Sequence, residues 1–212
     1  SALGIKNVLC LSGDHQKFGD HPQAKNVFDI DSMQLIATCK KMRDEGKLIN
    51  DHECEGVPKY FIGAAVNPFA DPFDFRVTRL AKKIEAGVDF IQTQCIYNME
   101  KFRTYMQQAY DQGLTEKCYI MAGITPLKSI GMARYMQKFV PGLEVPEDYI
   151  ERLKGVDKKK QGDEGIKIAI EQIQEMKEMK GIAGAHVMAI EWEEKVEEIV
   201  SGAGLLPRPE VS

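Results

Sequence analysis

Three groups of side chains in this sequence could do chemistry. Asp14 follows Ser12 and Gly13 at the end of an apolar run, Val8-Leu9-Cys10-Leu11. A carboxylate at the C-terminal tip of a strand is where an α/β barrel places its chemistry. In a turn, the same side chain can serve only its own loop backbone. Gln94 is conspicuous near the end of another largely apolar run, Val88–Cys95. Its amide carries both donors and an acceptor, which suits a ring edge or a neighbouring loop. Arg76, Arg79, Lys82 and Lys83 form a basic set, read either as a functional cluster or as a solvated helix face. A further cluster, His52-Glu53-Cys54, lies in a polar, turn-rich stretch and reads as surface rather than as a metal site.

The elements that must position these residues alternate regularly. Continuous apolar runs at 8–11, 60–66, 90–95, 118–124 and 184–190 predict strands buried on both faces. Between them the spacing predicts helices. Asp31 or Ser32 caps one that runs to Glu45, with Gly46 as its stop. Asp71 caps the next, with Pro72 in its first turn. Asn98 starts a third, which ends near Gln112. Further helices are expected over 128–139, 146–150, 163–180 and 191–202, followed by an extended end at 205–209. Strand and helix alternating about once per unit argue for a parallel sheet with helical crossovers. Five such units fit either an open doubly wound sheet or the C-terminal five-eighths of a (β/α)8 barrel. No Gly-x-Gly-x-x-Gly follows any strand, so a dinucleotide fold has little support.

Composition narrows the class. The chain has 212 residues and a net charge of -4, with no basic footprint for nucleic acid. No apolar stretch reaches the roughly 18 residues of a membrane span, and no signal peptide is visible. The five cysteines form no CxxC pair. Their spacing argues against zinc, and they read as reduced thiols of a cytoplasmic protein.

Ordered motifs carry a resemblance to a known family. They are Ser12-Gly13-Asp14, then Phe28-Asp29-Ile30-Asp31, then Gly63-Ala64-Ala65 before a Pro-containing loop. Ala81-Lys82-Lys83-Ile84-Glu85-Ala86-Gly87 leads into Ile91-Gln92-Thr93-Gln94, and Ala122-Gly123-Ile124-Thr125-Pro126-Leu127 follows. Ala185-His186-Val187-Met188 and Leu206-Pro207-Arg208-Pro209 complete the set. In this order the sequence resembles the later two-thirds of a methylenetetrahydrofolate reductase, a flavin-dependent TIM-barrel enzyme. The His15–Ser32 stretch looks closest to versions from anaerobic, acetogen-like bacteria.

The resemblance implies a (β/α)8 TIM barrel of which this chain supplies about the last five βα units, as one incomplete domain. It implies reduction of 5,10-methylenetetrahydrofolate to 5-methyltetrahydrofolate, with FAD as cofactor and NAD(P)H or another reduced donor. Asp14 would lie between flavin and folate, where it stabilises charge. Ser12 and Gly13 would lie against the isoalloxazine, with Phe28 and Asp29 near the FAD adenosine. Lys83, with Lys82 or Arg79, would approach the diphosphate, and Asn67 would border the cofactor. Gln94 would hold the folate pterin, with Pro126 and Ile130 beside it.

Departures from the family pattern accompany the match. Val66 and Asn67 replace an expected aromatic, Arg76 an acidic residue, Ile130 an aromatic, and Trp192 an arginine. The family's general-acid glutamate matches nothing here, so this polypeptide alone is expected to be inactive and to fold poorly with two unpaired edge strands. A partner subunit or a second copy could complete it. The alternatives are a non-catalytic barrel-derived subunit and a different pterin-binding one-carbon transferase.

Overall fold

The computed structural model describes residues 1–208. Five strands, β1 (Asn7–Cys10), β2 (Phe61–Val66), β3 (Phe90–Cys95), β4 (Tyr119–Ile124) and β5 (Ile182–Val187), form one sheet in the order β1-β2-β3-β4-β5. All neighbours pair in parallel. A doubly wound sheet reverses its strand order at a switch point. This order never reverses, so right-handed crossovers carry every helix to the same face of the sheet. The result is a five-stranded parallel sheet with its helices on one face.

The helices are α1 (Ser32–Glu45), α2 (Phe75–Ala86), α3 (Met99–Asp111), α4 (Ile130–Phe139), α5 (Glu147–Lys154), α6 (Gln161–Lys177) and α7 (Val196–Gly202). Alternation along each strand sends one set of side chains toward them. Cys10, Ile62, Ala64, Ile91, Ile120, Ala122 and Ile124 join Ile36, Leu80, Phe102, Ile173 and Ile199 in the main core. The opposite set faces the concave side. There Phe61 stacks on Phe90 at 5.4 Å between ring centres, and Tyr119 stands 6.2 Å from Phe61. A side chain at Gly63 would overlap the Phe90 ring, so the glycine makes room for this aromatic floor. Phe61 and Tyr119 remain 39% and 62% exposed, so the concave face is open among the described residues.

Caps fix the helix starts. Asp31 accepts from the Gln34 backbone N–H at 2.8 Å, and Gln34 accepts from the Asp31 N–H at 2.9 Å, a reciprocal capping box. Asp31→Ala is expected to lower unfolding free energy by about 1 kcal/mol, read by denaturant unfolding. Asn98 caps α3 and Ser129 caps α4.

Several boundaries differ from expectation. Helix α2 begins at Phe75, after Asp74, rather than at Pro72. The Asp71–Pro72 peptide is cis, and the carbonyls of Asp71 and Pro72 accept from Arg76, making a turn that precedes the helix. β5 starts at Ile182, because pairing with β4 begins at Ile120 and ends at Val187. The last helix divides into a 3-10 turn at Glu193–Lys195 and α7. The expected extended end runs to Pro209, which lies outside the described residues.

Candidate active-site trough

The C-terminal ends of the strands carry three adjoining cavities that share Ala65. The first, about 300 Å³, is lined by Cys10, Leu11, Ser12, Gly13, Asp14, Ser32, Ala65 and Lys83. Gly13 has φ +74°, in the left-handed region that glycine adopts readily. The Ser12 hydroxyl accepts from the Ser32 N–H at 3.0 Å, fastening the loop to the start of α1. Asp14, exposed at the rim, thus shares a cavity with Lys83.

The second cavity, about 180 Å³, is basic: Arg76, Arg79 and Lys83 line it with Val66 and Asn67. Lys83 is buried, and its ammonium donates to the Ala65 carbonyl at 2.9 Å. Burial, and then the nearby Arg79 charge, push its pKa below the usual lysine value, while Asp31 and Cys10 act weakly the other way. Among the described residues, Arg76, Arg79 and Lys83 form no ion pair. Cations gathered with no carboxylate partner make a site for an anion. Lys82 does not join them. It is exposed, with its ammonium 5.9 Å from the Phe75 ring centre, which leaves Arg79 as the companion of Lys83.

The third cavity, about 280 Å³, holds no charged side chain and mixes apolar wall with polar groups, with Asn67, Gln92, Gln94, His186 and Met188 among its lining. Gln94 does not present its whole amide. Its Oε1 accepts from the Cys95 N–H at 3.0 Å, so the free group is its NH2. Asn67 is similar: its Oδ1 accepts from the Phe69 N–H at 2.9 Å, and a side chain on Gly142 would overlap its Nδ2. Asn67 borders both the basic and the polar cavity.

Other expected site residues lie apart. Phe28, 75% exposed, and Asp29 sit on the outer loop and line none of the three cavities. Pro126 is buried behind the rim, where Thr125 accepts through its carbonyl from Tyr97 Oη at 3.1 Å. Ile130 opens α4, its N–H donating to Gln161 Oε1 at 3.2 Å. Trp192 lies 5.6 Å from the Lys128 ammonium, which also donates to the Glu191 carbonyl at 2.9 Å. Cys10 lies 4.0 Å from Cys39, sulfur to sulfur, and burial pushes its thiol up to about 12, holding it protonated and unreactive.

Sequence reasoning missed Gln92 and His186 as cavity residues and singled out Arg76 only as a member of the basic set. For His186 the available signal was a lone imidazole between small residues in an apolar run. Burial lowers its pKa below the ordinary value, so it stands neutral at pH 7.

The family model for methylenetetrahydrofolate reductase matches residues 1–204. The chain belongs to the methylenetetrahydrofolate reductase family. Methylenetetrahydrofolate reductase 2 of Schizosaccharomyces pombe is 30% identical over 97% of this chain, and methylenetetrahydrofolate reductase 1 of the same yeast is 26% identical over 96%. A probable methylenetetrahydrofolate reductase (NADPH) of Caenorhabditis elegans is 22% identical over 96%. The chain spans 32% of the length of both yeast reductases and 29% of the nematode protein. An uncharacterized protein from Clostridium thermocellum that binds two copies of 5-methyl-5,6,7,8-tetrahydrofolic acid shares the fold. Its TM-score is 0.52 and its identity 17%, over 68% of this chain and 52% of that one. Family membership and the unreversed strand order agree on a TIM-barrel-like α/β architecture.

Proposed function

We propose that this chain forms about the last five βα units of a closed (β/α)8 reductase barrel. In that barrel it holds FAD and 5,10-methylenetetrahydrofolate side by side and reduces the folate to 5-methyltetrahydrofolate. One observation carries the reading: a basic cavity, a cavity with a single carboxylate and an uncharged cavity with amide side chains share Ala65 on one rim. FAD, when bound, supplies the hydride, and NAD(P)H or another reduced donor replenishes it. Lys83 and Arg79 bind its diphosphate, where a dianion relieves the repulsion between the two cations. Ser12 and Gly13 bring backbone close to the ring system. Phe28 and Asp29 reach the adenosine if the exposed loop folds inward.

The Gln94 NH2 donates to the pterin and fixes its orientation, while Pro126 and Ile130 border it more loosely. Opening of the imidazolidine ring generates an iminium cation, and the Asp14 carboxylate on the same rim stabilises that charge. Asn67 separates the two ligands. A purely structural subunit would have no need to gather Asp14, Lys83 and Gln94 on one rim, which favours the enzymatic reading.

The test is flavin affinity. Lys83→Met keeps much of the side chain's length but removes its charge. It should weaken FAD binding roughly tenfold to a hundredfold, measured by quenching of FAD fluorescence on titration with the purified protein. Equal affinity in variant and wild type would remove Lys83 from the site.

A further inference from the structure

We propose that His186 is a hydrogen-bond acceptor of the folate-ring pocket, facing the Gln94 amide donor across Gly123. This rests on the functional reading above and assigns to His186 a role that the motif comparison left open.

The geometry comes from strand register. Cys95 pairs with Gly123, and Gly123 pairs with His186, so the three stand at one level of the sheet. Gly123 must be glycine, because a side chain there would overlap the Thr93 carbonyl. Its N–H also accepts no crowding, since it donates to Thr93 Oγ1 at 2.8 Å. The Thr93 and Gln94 carbonyls therefore pack directly on β4 at this level, and Gln94 and His186 on either side of it line the same cavity. Gly184, on the same concave face as His186, has open space beside it as well.

A reduced pterin offers both kinds of hydrogen-bonding group: N–H donors at its 2-amino group, N3 and N8, and acceptors at O4 and N1. A pocket that recognises it needs acceptors as well as donors. Gln94 and Asn67 each already commit their carbonyl oxygen to a backbone N–H, of Cys95 and Phe69, which makes the Gln94 NH2 the freer group toward a ligand. A neutral imidazole carries one donor and one acceptor nitrogen. His186 lines this cavity, and among the described residues no protein group hydrogen-bonds its ring. Gln92 stands one level deeper, level with Ala65 and Met121.

His186 is also the cavity's ionisable group. β2 contributes Ala65 and Val66, Asn67 follows it, β3 contributes Gln92, Thr93 and Gln94, and Met188 follows β5, none of them charged. The cations Arg76, Arg79 and Lys83 lie in the adjoining cavity beyond Asn67. Burial alone therefore keeps the imidazole neutral. The sign follows. Above its lowered pKa the ring accepts; as pH falls through that pKa, it gains a proton, loses the acceptor and puts a positive charge against the ligand.

The experiment measures binding of 5-methyltetrahydrofolate to the purified protein by isothermal titration calorimetry, from about pH 8 down to about pH 5. His186→Phe keeps a ring of similar breadth and should bind about tenfold more weakly at pH 8. His186→Gln restores an acceptor that does not titrate. It should bind within about threefold of wild type at pH 8 and lose the part of the acid weakening that belongs to the protein. Titration of the ligand itself is common to all three proteins and cancels in the comparison. Recovery in His186→Gln of what His186→Phe loses separates recognition from a folding defect. Wild-type affinity in His186→Phe, or the wild-type pH profile in His186→Gln, would overturn the inference while leaving the functional reading standing. A wild-type protein that binds no folate at any pH with the barrel complete would overturn both.

Discussion

Asp14→Asn should lower the reductase turnover of the assembled enzyme by about a hundredfold to a thousandfold, with FAD still bound. The substitution is nearly isosteric and leaves the Ser12–Ser32 fastening and the left-handed Gly13 turn in place. It removes one negative charge from the cavity that Asp14 shares with Lys83. Before ring opening the folate carries no cation for that charge to meet, so substrate affinity should change little. The loss should therefore fall mainly on kcat, as expected for an interaction made in the transition state. Steady-state kinetics in parallel with a visible flavin spectrum checks both halves. A variant with unchanged kcat would mean that Asp14 serves its own loop.

Gly165→Ala should destabilise the fold by about 3 kcal/mol, at the upper end of overpacking effects. Near the start of α6, Gly165 lies against the backbone of Leu127, and even a methyl group there would overlap the Leu127 carbonyl. Flexible side chains can move away from such a clash, but a buried backbone cannot. Leu127 is itself fully buried, in the cluster beneath the Thr125-Pro126-Leu127 loop. Either α6 lifts off, uncovering Ile166, Ile173 and Met176, or the loop shifts toward the trough. Denaturant unfolding of Gly165→Ala beside Gly184→Ala gives the comparison, since Gly184 has open space around it. Equal effects would contradict the close α6–loop contact.

The sheet was legible because its strands are continuous apolar runs, and β3 lies where its run predicts, over Phe90–Cys95. The caps at Asp31 and Asn98 were legible because a side-chain oxygen reaching back to its own helix is a local event. The start of α2 was not. Asp71-Pro72 has the local chemistry of a helix start, yet its carbonyls are held by Arg76 in a turn. The first residues of β5 were obscured by Gly181 and Gly184, and only pairing with β4 makes them a strand.

The same division runs through the site. Asp14, Lys83 and Gln94 could be read from strand ends and one helix. Lys82 and Lys83 are adjacent in sequence, but successive helical residues point about 100° apart, so only one can face the sheet. Arg76, Arg79, Leu80 and Lys83 recur at helical spacing, and the buried Leu80 marks that face. His186 could not be read this way. Its place opposite Gln94 depends on register across three strands.

The central claim is that flavin and folate meet on this one rim. Its most direct measurement is a single-turnover reaction with the barrel complete, in which FAD-loaded protein is reduced without air and mixed with 5,10-methylenetetrahydrofolate. The account predicts return of the oxidised flavin spectrum with stoichiometric 5-methyltetrahydrofolate, and strong slowing of both in Asp14→Asn. A flavin that stays reduced while the protein binds folate would contradict it.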